Sequence, residues 1–404
     1  NSTPLNPPDC NYWANQEDHF YSRLINAMNN PNNYLSPLGR FLQKNNMSTF
    51  IKNRKDIFNY VQEHPELLYG KPIDADNRLL VITGMHRTGS TLLQNLLAQD
   101  PKSRTTISWE MVETIPPAKE KEDFKKGGDR AQKLQKRLIS SKYIAPEFYT
   151  NFKKVHLFAY NIPEEDVLSL FGVLSYWYCS YLLQDVDSEL VELNRNRAPY
   201  ICRYLHYFLK VLDSSCPPES HWILKNPDNS QYLDSYLNEF PNANVIVTHR
   251  NPNTVVSSWA KFLSFSIYLD AYNDFSKLSL LPQSKILTPE GLGRVSLKQC
   301  YDETIHLMNA RKKIKDINPD KEARIFDVSY SRLVADPEAM IKEIYEHFGY
   351  EFTPEYQIKL RQYLESHPKG VHGKVNYSLE EFGLNKETID NEFEDYIRQY
   401  SQYF

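Results

Sequence analysis

The segment "ITGMHRTGSTLL" (82–93) constrains the fold of this 404-residue chain more than any other stretch. It follows a hydrophobic run and precedes a helical pattern, and its glycines and hydroxyl residues are spaced Gly84-x4-Gly89-Ser90-Thr91. A glycine-rich turn that opens a helix presents backbone N–H groups and the positive end of the helix dipole, an arrangement that suits a phosphate. The segment therefore predicts a strand, a phosphate-binding loop and a helix, in that order.

The positive charge inside this loop is an arginine. Nucleotide hydrolases place a lysine directly after the second glycine, where it reaches the terminal phosphates of a triphosphate, but Ser90 stands there in this chain. Arg87 lies within the loop instead, where it would stand beside a bridging oxygen. This pattern favours group transfer from a donor whose leaving group is a nucleotide phosphate over metal-assisted hydrolysis of a triphosphate. We expect Thr88, Gly89, Ser90 and Thr91 to hold that phosphate.

Four hydrophobic runs predict the strands of a parallel sheet. They are "RLLVITG" (78–84), "HWILKNP" (221–227), "NVIVTHRNP" (244–252) and "ARIFDVSY" (323–330). A helical pattern follows each of the last three, and strands that alternate with helices indicate an α/β fold with a doubly wound parallel sheet. Ligands bind such sheets beyond the carboxyl ends of the strands, where "GMHRTGST", "KNPDNS" and "HRNPNTVVSS" fall.

The remaining pattern suggests two parts and one insertion. Residues 1–77 place apolar residues at three- and four-residue intervals without strand runs, which predicts a helical N-terminal extension. Residues 78–404 then form the main domain. The stretch from about 263 to 297 has weaker periodicity, and we interpret it as a lid or an insertion.

Charge and cysteine content exclude several kinds of partner. The formal net charge of -4 leaves no basic excess for coating nucleic acid, so an anionic ligand must meet a local basic site. The cysteines lack the paired C-x2-C spacing of zinc sites, and neither a metal nor a disulfide framework is indicated. They are Cys10, Cys179, Cys202, Cys216 and Cys300.

An uncharged stretch, residues 167–184, has about the length of a membrane-spanning helix. Its serines, tyrosines and glutamine dilute its apolarity, and acidic rather than basic residues flank it, so membrane association is not indicated. The stretch is interpreted as a buried helix or as a helix that lines an aromatic pocket. The first residue is Asn, so the location stays open: the cytoplasm is favoured, and the Golgi lumen would fit if an N-terminal anchor were removed.

Two of these motifs carry a resemblance to a known family. "HRTGST" resembles the 5′-phosphosulfate-binding loop of sulfotransferases that use 3′-phosphoadenosine 5′-phosphosulfate (PAPS), and "HRNPNTVVSSWAKF" resembles their 3′-phosphate-binding segment. In that segment the resemblance implies that Arg250 and Ser258 bind the 3′-phosphate. An arginine at a strand end offers a bidentate phosphate contact, which is consistent with this role.

Two further segments resemble the same family. "DVSYSRLVADPEAM" is similar to the segment that brings a tyrosine to the adenine, which would be Tyr330, and "PKGVHG" is similar to the loop that covers the 3′-phosphate. In that loop the matching residues are Lys369 and Gly370. The resemblance runs from about residue 78 to 384 and implies a sheet of the P-loop nucleotide-binding type. The chain departs from the cytosolic members at Leu92, where they carry a tryptophan, and at Pro368, where they carry an arginine.

The resemblance implies sulfuryl transfer from PAPS to an acceptor hydroxyl, with adenosine 3′,5′-bisphosphate (PAP) as the product and no metal. Arg87 would stabilise the negative charge that grows on the bridging oxygen. A base must take the acceptor proton, and histidine is the usual residue near neutral pH. His156 in "KKVHLFAYNIPEED" is the first candidate, because this branch of the family carries a histidine in the matching segment, and Glu110 in "SWEM" is the second.

Two other functions stay open at this point. A nucleotide kinase-like phosphotransferase would share the sheet and the loop but should retain the lysine after Gly89. A non-catalytic member of the same fold would bind a partner through the helical extension. The aromatic content of 13% favours a small apolar or aromatic alcohol or phenol as the acceptor. The oligomeric state is not readable from the sequence.

Overall fold

A computed structural model describes most of the chain. The described residues are 8, 22–30, 35–119, 127–144, 150, 159–173, 195–271, 288–368 and 377–404, with only the backbone of residues 138–144 and 267–271.

Five parallel strands form the central sheet, which confirms the predicted α/β class. In chain order they are β1 (Leu79–Gly84), β2 (Arg104–Thr105), β3 (Trp222–Lys225), β4 (Asn244–His249) and β5 (Ile325–Ser329). Their spatial order is β2-β3-β1-β4-β5, so β1 lies at the centre between β3 and β4. The four predicted strands are all present. The strand β2 was not predicted, because its two residues are too few to form a hydrophobic run.

Helices cover both faces of this sheet. In the first half of the chain they are α1 (22–29), α2 (Pro37–Glu63), α3 (Ser90–Leu97), α4 (Ser108–Val112), α5 (Gly128–Ile144), α6 (Val167–Leu170) and α7 (Ala198–Ser215). In the second half they are α8 (Leu233–Glu239), α9 (Pro252–Ala271), α10 (Pro289–Ile317), α11 (Pro319–Glu322), α12 (Tyr330–Ala335), α13 (Pro337–Phe348), α14 (Pro354–Ser366), α15 (Lys386–Glu392) and α16 (Glu394–Tyr400). Short 3₁₀ helices span Pro65–Tyr69, Ala75–Asn77, Phe171–Val173, Pro227–Tyr232, Glu380–Phe382 and Ser401–Tyr403.

The alternating side chains of β1 explain why its sequence is a continuous hydrophobic run. Leu79 and Val81 belong to one core cluster, on the side of α7, whereas Leu80 and Ile82 belong to another, on the side of α3 and α13. A parallel strand covered by helices on both faces needs apolar residues at every position. The same geometry brings the ends of β1, β3 and β4 together, since Ile82 pairs with Lys225 and Gly84 with Thr248.

The predicted N-terminal extension packs directly on the sheet domain. Its helix α2 is continuous from Pro37 to Glu63. Ile57 and Val61 are fully buried in the core cluster that includes α7 and one face of the sheet. Asn53 also donates to the Met111 carbonyl over 3.0 Å. Residues on both sides of position 77 thus share one core, and the domain boundary at this position stays a prediction.

Two other predicted segments are only partly described. The stretch from 263 to 297 contains the end of α9 and the start of α10, and residues 272–287 between them lie outside the described residues. Of the uncharged stretch 167–184, the first part forms α6 and a 3₁₀ turn, and the rest lies outside the described residues. Within the described ranges, none of the helices has the length and apolarity needed to cross a membrane.

Candidate active site

The loop between β1 and α3 has three residues in the left-handed region of backbone space. Gly84 has φ +125°, and a Cβ there would lie 2.5 Å from the Thr248 carbonyl oxygen of β4. Gly89, which precedes α3, has φ +89°, and a Cβ there would lie 2.8 Å from the Tyr330 ring. Arg87 has φ +64° without being a glycine, a conformation that costs about 1–3 kcal/mol unless the surroundings hold it. Two contacts hold Arg87 in this conformation: its Nε donates to Ser258, and its carbonyl accepts from the side chain of Arg250.

The hydroxyl of Thr88 faces the core rather than the open side of the loop. Its Oγ1 donates to the Met85 carbonyl over 2.6 Å and lies 2.6 Å from Thr248 Oγ1. The side chain is fully buried, so its contribution to an anion would come from its backbone N–H. Ser90 begins α3 directly after Gly89, and the first N–H groups of a helix have no intrahelical partner. The loop thus has the backbone geometry of an anion site.

Four of the residues predicted to bind the donor lie in contact. Arg87 Nε donates to Ser258 Oγ of α9 over 3.2 Å. Arg250, directly after β4, donates through NH1 to the Arg87 carbonyl over 3.0 Å. The Arg250 guanidinium lies 4.1 Å from the centre of the Tyr330 ring, which begins α12 after β5. Burial lowers the pKa of Arg87, and the nearby Arg250 charge acts in the same direction. Two arginines this close make a strong site for an anion.

A buried lysine, which was not among the predicted site residues, lies at the same edge of the sheet. Lys225 is the last residue of β3, and its ammonium is fully buried. It donates to Thr91 Oγ1 over 3.3 Å and forms an ion pair with Glu165. The sequence did contain a signal, because a lysine inside the hydrophobic run "HWILKNP" must be buried with a partner. Lys225 and Arg87 place two positive charges around the start of α3.

Behind the loop, His86 lies between two carboxylates. Its Nδ1 lies 2.7 Å from Glu303 Oε1 of α10, and its Nε2 lies 4.0 Å from Asp228 Oδ1. The ring stacks on Trp259 with a centroid separation of 4.3 Å. These three ionisable residues could be considered as metal ligands, but the two carboxylates face opposite nitrogens of one ring. A single ion binds one nitrogen of a given imidazole, so the geometry fits a protonated ring better than a metal.

Asp166 is a buried acid next to Glu165. Its backbone N–H donates to the Lys225 carbonyl over 3.1 Å, and its side chain is fully buried. Burial and, to a smaller extent, the Glu165 charge raise the pKa of Asp166 to about 7, and Lys225 opposes this shift. Folding therefore makes this carboxyl a weaker acid.

The remaining predicted residues divide into one that has a different partner and three that fall outside the described residues. Glu110, the second candidate base, is buried in α4 and pairs with Arg104 at 2.6 Å. Burial raises the pKa of Glu110 although the Arg104 charge opposes the shift. Within the described residues, Glu110 forms its salt bridge with Arg104 of β2 and does not contact the loop between β1 and α3. His156, Lys369 and Gly370 lie outside the described residues.

A family profile matches most of this region. The profile described as "Sulfotransferase family" covers residues 80–354, which is more than half of the chain and includes β1, the loop, α9 and α10.

Curated relatives match a shorter part of the chain. The omega-hydroxy-beta-dihydromenaquinone-9 sulfotransferases Stf3 of Mycobacterium bovis and Mycobacterium tuberculosis are each 25% identical over 178 residues. The match covers 44% of this chain and 40% of each relative. The chain therefore aligns with less than half of the length of these relatives.

Two solved structures share the overall fold. Sulfotransferase STF9 from Mycobacterium avium superposes with a TM-score of 0.75 at 24% identity, covering 99% of this chain and 98% of that one. Sulfotransferase STF1 from Mycobacterium tuberculosis superposes with a TM-score of 0.73 at 20% identity, covering 96% and 99%. At these identities the likeness is one of fold.

Proposed function

The chain belongs to the sulfotransferase family, and we propose that it transfers a sulfuryl group from PAPS to the hydroxyl of a small acceptor. The observation that carries this proposal is the convergence of Arg87, Ser258 and Arg250 at the glycine-rich loop. Arg87 donates to Ser258 over 3.2 Å, and Arg250 donates to the Arg87 carbonyl over 3.0 Å. A donor with two separate phosphate groups needs two such positive centres.

In this proposal each end of the donor has its own residues. The 5′-phosphosulfate lies on the backbone N–H groups from Thr88 to Thr91, with Arg87 beside the bridging oxygen. The 3′-phosphate is bound by Arg250 and Ser258, and the family resemblance assigns Lys369 and Gly370, which lie outside the described residues, to the same group. Tyr330 holds the adenine, and its ring already lies against both Gly89 and Arg250.

The reaction is an in-line displacement at sulfur. The acceptor oxygen forms a new bond to sulfur while the bond from sulfur to the bridging oxygen breaks, and PAP leaves with the negative charge. Arg87 stabilises that developing charge, and Lys225 stabilises the charge on the transferred sulfuryl oxygens. One such preorganised donor is typically worth about 3 kcal/mol in the transition state. No step in this scheme uses a metal.

The acceptor proton must go to a base. His156 is our first assignment, because a neutral imidazole is suited to proton transfer near neutral pH. One observation favours Glu165 as a second candidate: it pairs with Lys225, whose Nζ also donates to Thr91 at the start of α3. When Lys225 turns to the sulfuryl oxygens, the Glu165 carboxylate becomes available to accept a proton.

We propose an apolar or aromatic alcohol or phenol as the acceptor. The curated relatives are named for a menaquinone derivative that carries a terminal hydroxyl, and the aromatic share of 13% in this chain suits an apolar ligand. The uncharged stretch 167–184 is the segment that we assign to the acceptor pocket, and only its first part is described.

Calorimetric titration with PAP, AMP and ATP tests the donor assignment. Tighter binding of PAP than of AMP, without magnesium, is the expected result, because only PAP carries the 3′-phosphate. A turnover assay with PAPS and a panel of apolar alcohols and phenols then separates an enzyme from a non-catalytic member of the family. Tight magnesium-dependent binding of ATP would instead establish the phosphotransferase alternative.

A further inference from the structure

Both carboxylate oxygens of Glu303 contact His86, the residue that precedes Arg87. Oε1 lies 2.7 Å from His86 Nδ1, and Oε2 accepts from the His86 backbone N–H over 3.1 Å. The Glu303 side chain is 1% exposed and the His86 side chain 6%. A carboxylate that binds the ring and the backbone of one residue fixes both its side chain and the path of its chain.

The groups around the His86 ring favour its charged form. Asp228 Oδ1 lies 4.0 Å from the second ring nitrogen, and the indole of Trp259 stacks on the ring face. Burial alone would disfavour the charge, but the charges of Glu303, Asp228 and Glu165 outweigh it and raise the pKa of His86. Buried carboxylates need such a positive partner, and an aromatic face stabilises it further.

We propose that Glu303 is a positioning residue for the phosphate loop: it keeps His86 as an imidazolium behind the loop and thereby fixes the left-handed backbone of Arg87. This inference rests on the proposed function, since the loop that Glu303 orders is the one that we assign to the donor. Glu303 belongs to α10 and lies more than 200 residues along the chain from His86. It contacts the loop at His86, whereas Ser258 of α9 and Arg250, directly after β4, contact the loop at Arg87.

The conformation of Arg87 depends on this support. Its φ of +64° is unfavourable for a side chain other than glycine. Its carbonyl accepts from Arg250, and its Nε donates to Ser258, so a rotation of the backbone at His86 would misalign both contacts. Loss of the Glu303 contact should therefore weaken donor binding without touching a residue that binds the donor.

Glu303→Gln is the direct test. The amide keeps the shape of the side chain but not its charge, so the His86 ring should become neutral and the loop less ordered. The dissociation constant for PAP should rise about 10- to 100-fold, the range expected when a charge-assisted hydrogen bond is lost. In the wild type, kcat/KM should fall as pH rises through the raised pKa of His86. In Glu303→Gln this alkaline fall should begin at a lower pH, because the Glu303 charge that raises the pKa of His86 is removed.

Glu239→Gln provides a matched control. Glu239 of α8 also pairs with a histidine, since its Oε1 lies 2.7 Å from Nδ1 of His206 of α7, but its second oxygen accepts from Arg203 instead of from a backbone N–H of the loop. This variant should lose stability while it keeps the PAP affinity and the pH profile of the wild type. A folded Glu303→Gln variant with the affinity and pH profile of the wild type would overturn the inference. Failure of the wild-type protein to bind PAP would count against the proposed function instead.

A measurement on the wild type covers the case in which Glu303→Gln does not fold. Nitrogen NMR of the imidazole rings, with His86 assigned by comparison with His86→Gln, reports whether both ring nitrogens carry protons. We expect the His86 ring to be more than half protonated at about pH 6.5, the ordinary histidine pKa, because the facing carboxylates raise its pKa. A neutral ring at that pH would overturn the inference without any change at Glu303.

Discussion

Arg87 donates to Ser258 over 3.2 Å, although 171 residues separate the two along the chain. The contact joins the loop after β1 to the helix after β4, and these two strands are neighbours at the centre of the sheet. A change in either motif is therefore expected to affect the other.

Arg250→Ala should weaken PAP binding far more than AMP binding. Arg250 is assigned to the 3′-phosphate, which AMP lacks, and loss of one side of a charge-assisted contact typically costs about 2–5 kcal/mol. Calorimetry with both nucleotides measures the difference. Arg361→Ala, which removes an exposed arginine of α14 paired with Glu338 of α13, is the control and should bind PAP normally. Equal losses for PAP and AMP would show that Arg250 supports the 5′ site or the fold.

Arg87→Ala should lower turnover more than it lowers PAPS affinity. The charge of Arg87 is needed most when the bridging oxygen becomes anionic, so its removal acts mainly on the transition state. Steady-state kinetics and PAP calorimetry on the same sample separate the two effects. EDTA should leave the activity of the wild-type protein unchanged. A strict requirement for added magnesium would contradict the assignment.

His156→Gln should reduce turnover about 100-fold or more while PAP affinity stays near that of the wild type, because loss of a general base affects only the proton transfer. The wild-type rate should rise with pH through the histidine range, since only the neutral ring accepts a proton. This acid limb should vanish in the variant. Near-normal turnover in folded His156→Gln would discard the assignment. Glu165→Gln and Glu110→Gln would then be measured, and the variant that loses turnover while keeping the PAP affinity would identify the base.

Lys225→Met should destabilise the protein as well as inactivate it. Removal of Lys225 takes away the fully buried ammonium that pairs with Glu165, whose side chain is 13% exposed, and breaking a pair with a buried member typically costs up to about 3–5 kcal/mol. The double variant Lys225→Met/Glu165→Gln removes both charges and should regain much of that stability, but not the activity. Urea unfolding measures the first effect and turnover the second. A double variant as unstable as the single one would refute the pairing.

Asp166→Asn should stabilise the protein at alkaline pH. Burial raises the pKa of Asp166 from 3.8 in the unfolded chain to about 7 in the fold. Between these values the folded state binds more protons than the unfolded state, so the free energy of unfolding falls as pH rises. The cumulative loss is on the order of 4 kcal/mol. The stability of the variant relative to the wild type should therefore increase from pH 5 to pH 8, as measured by urea unfolding. A pH-independent difference would contradict the shift.

The sequence was sufficient to predict the strands and the loop because both depend on local patterns. A strand buried on both faces requires an apolar run, as in Leu79–Gly84, and the turn into α3 requires glycine at Gly84 and Gly89, where φ is positive. The family resemblance added Arg250, Ser258 and Tyr330, and the fold brings these residues together with Arg87.

Other parts of the site depend on contacts between distant segments, which a local pattern does not contain. The pairing of His86 with Glu303 joins positions 217 residues apart. Lys225 lies within a hydrophobic run, and only the fold shows that Glu165 is its partner. Glu110 looked like a candidate base, but its carboxylate is paired with Arg104 in the fold. In each case the side-chain type was visible in the sequence, whereas its partner was not.

The close approach of β1 and β4 at Gly84 has a genetic consequence. The atom that a Cβ at Gly84 would meet, 2.5 Å away, is the backbone carbonyl oxygen of Thr248, which every residue at position 248 would also carry. A second-site mutation that shrinks a neighbouring side chain therefore cannot rescue a Gly84 variant. At Gly89 the obstacle is the side chain of Tyr330, which mutation can remove. A selection for revertants of a Gly84 variant should therefore recover only glycine at position 84. For alanine at position 89, loss of the Tyr330 ring would remove the clash but not the strain of φ +89°, and it would remove the residue that we assign to the adenine.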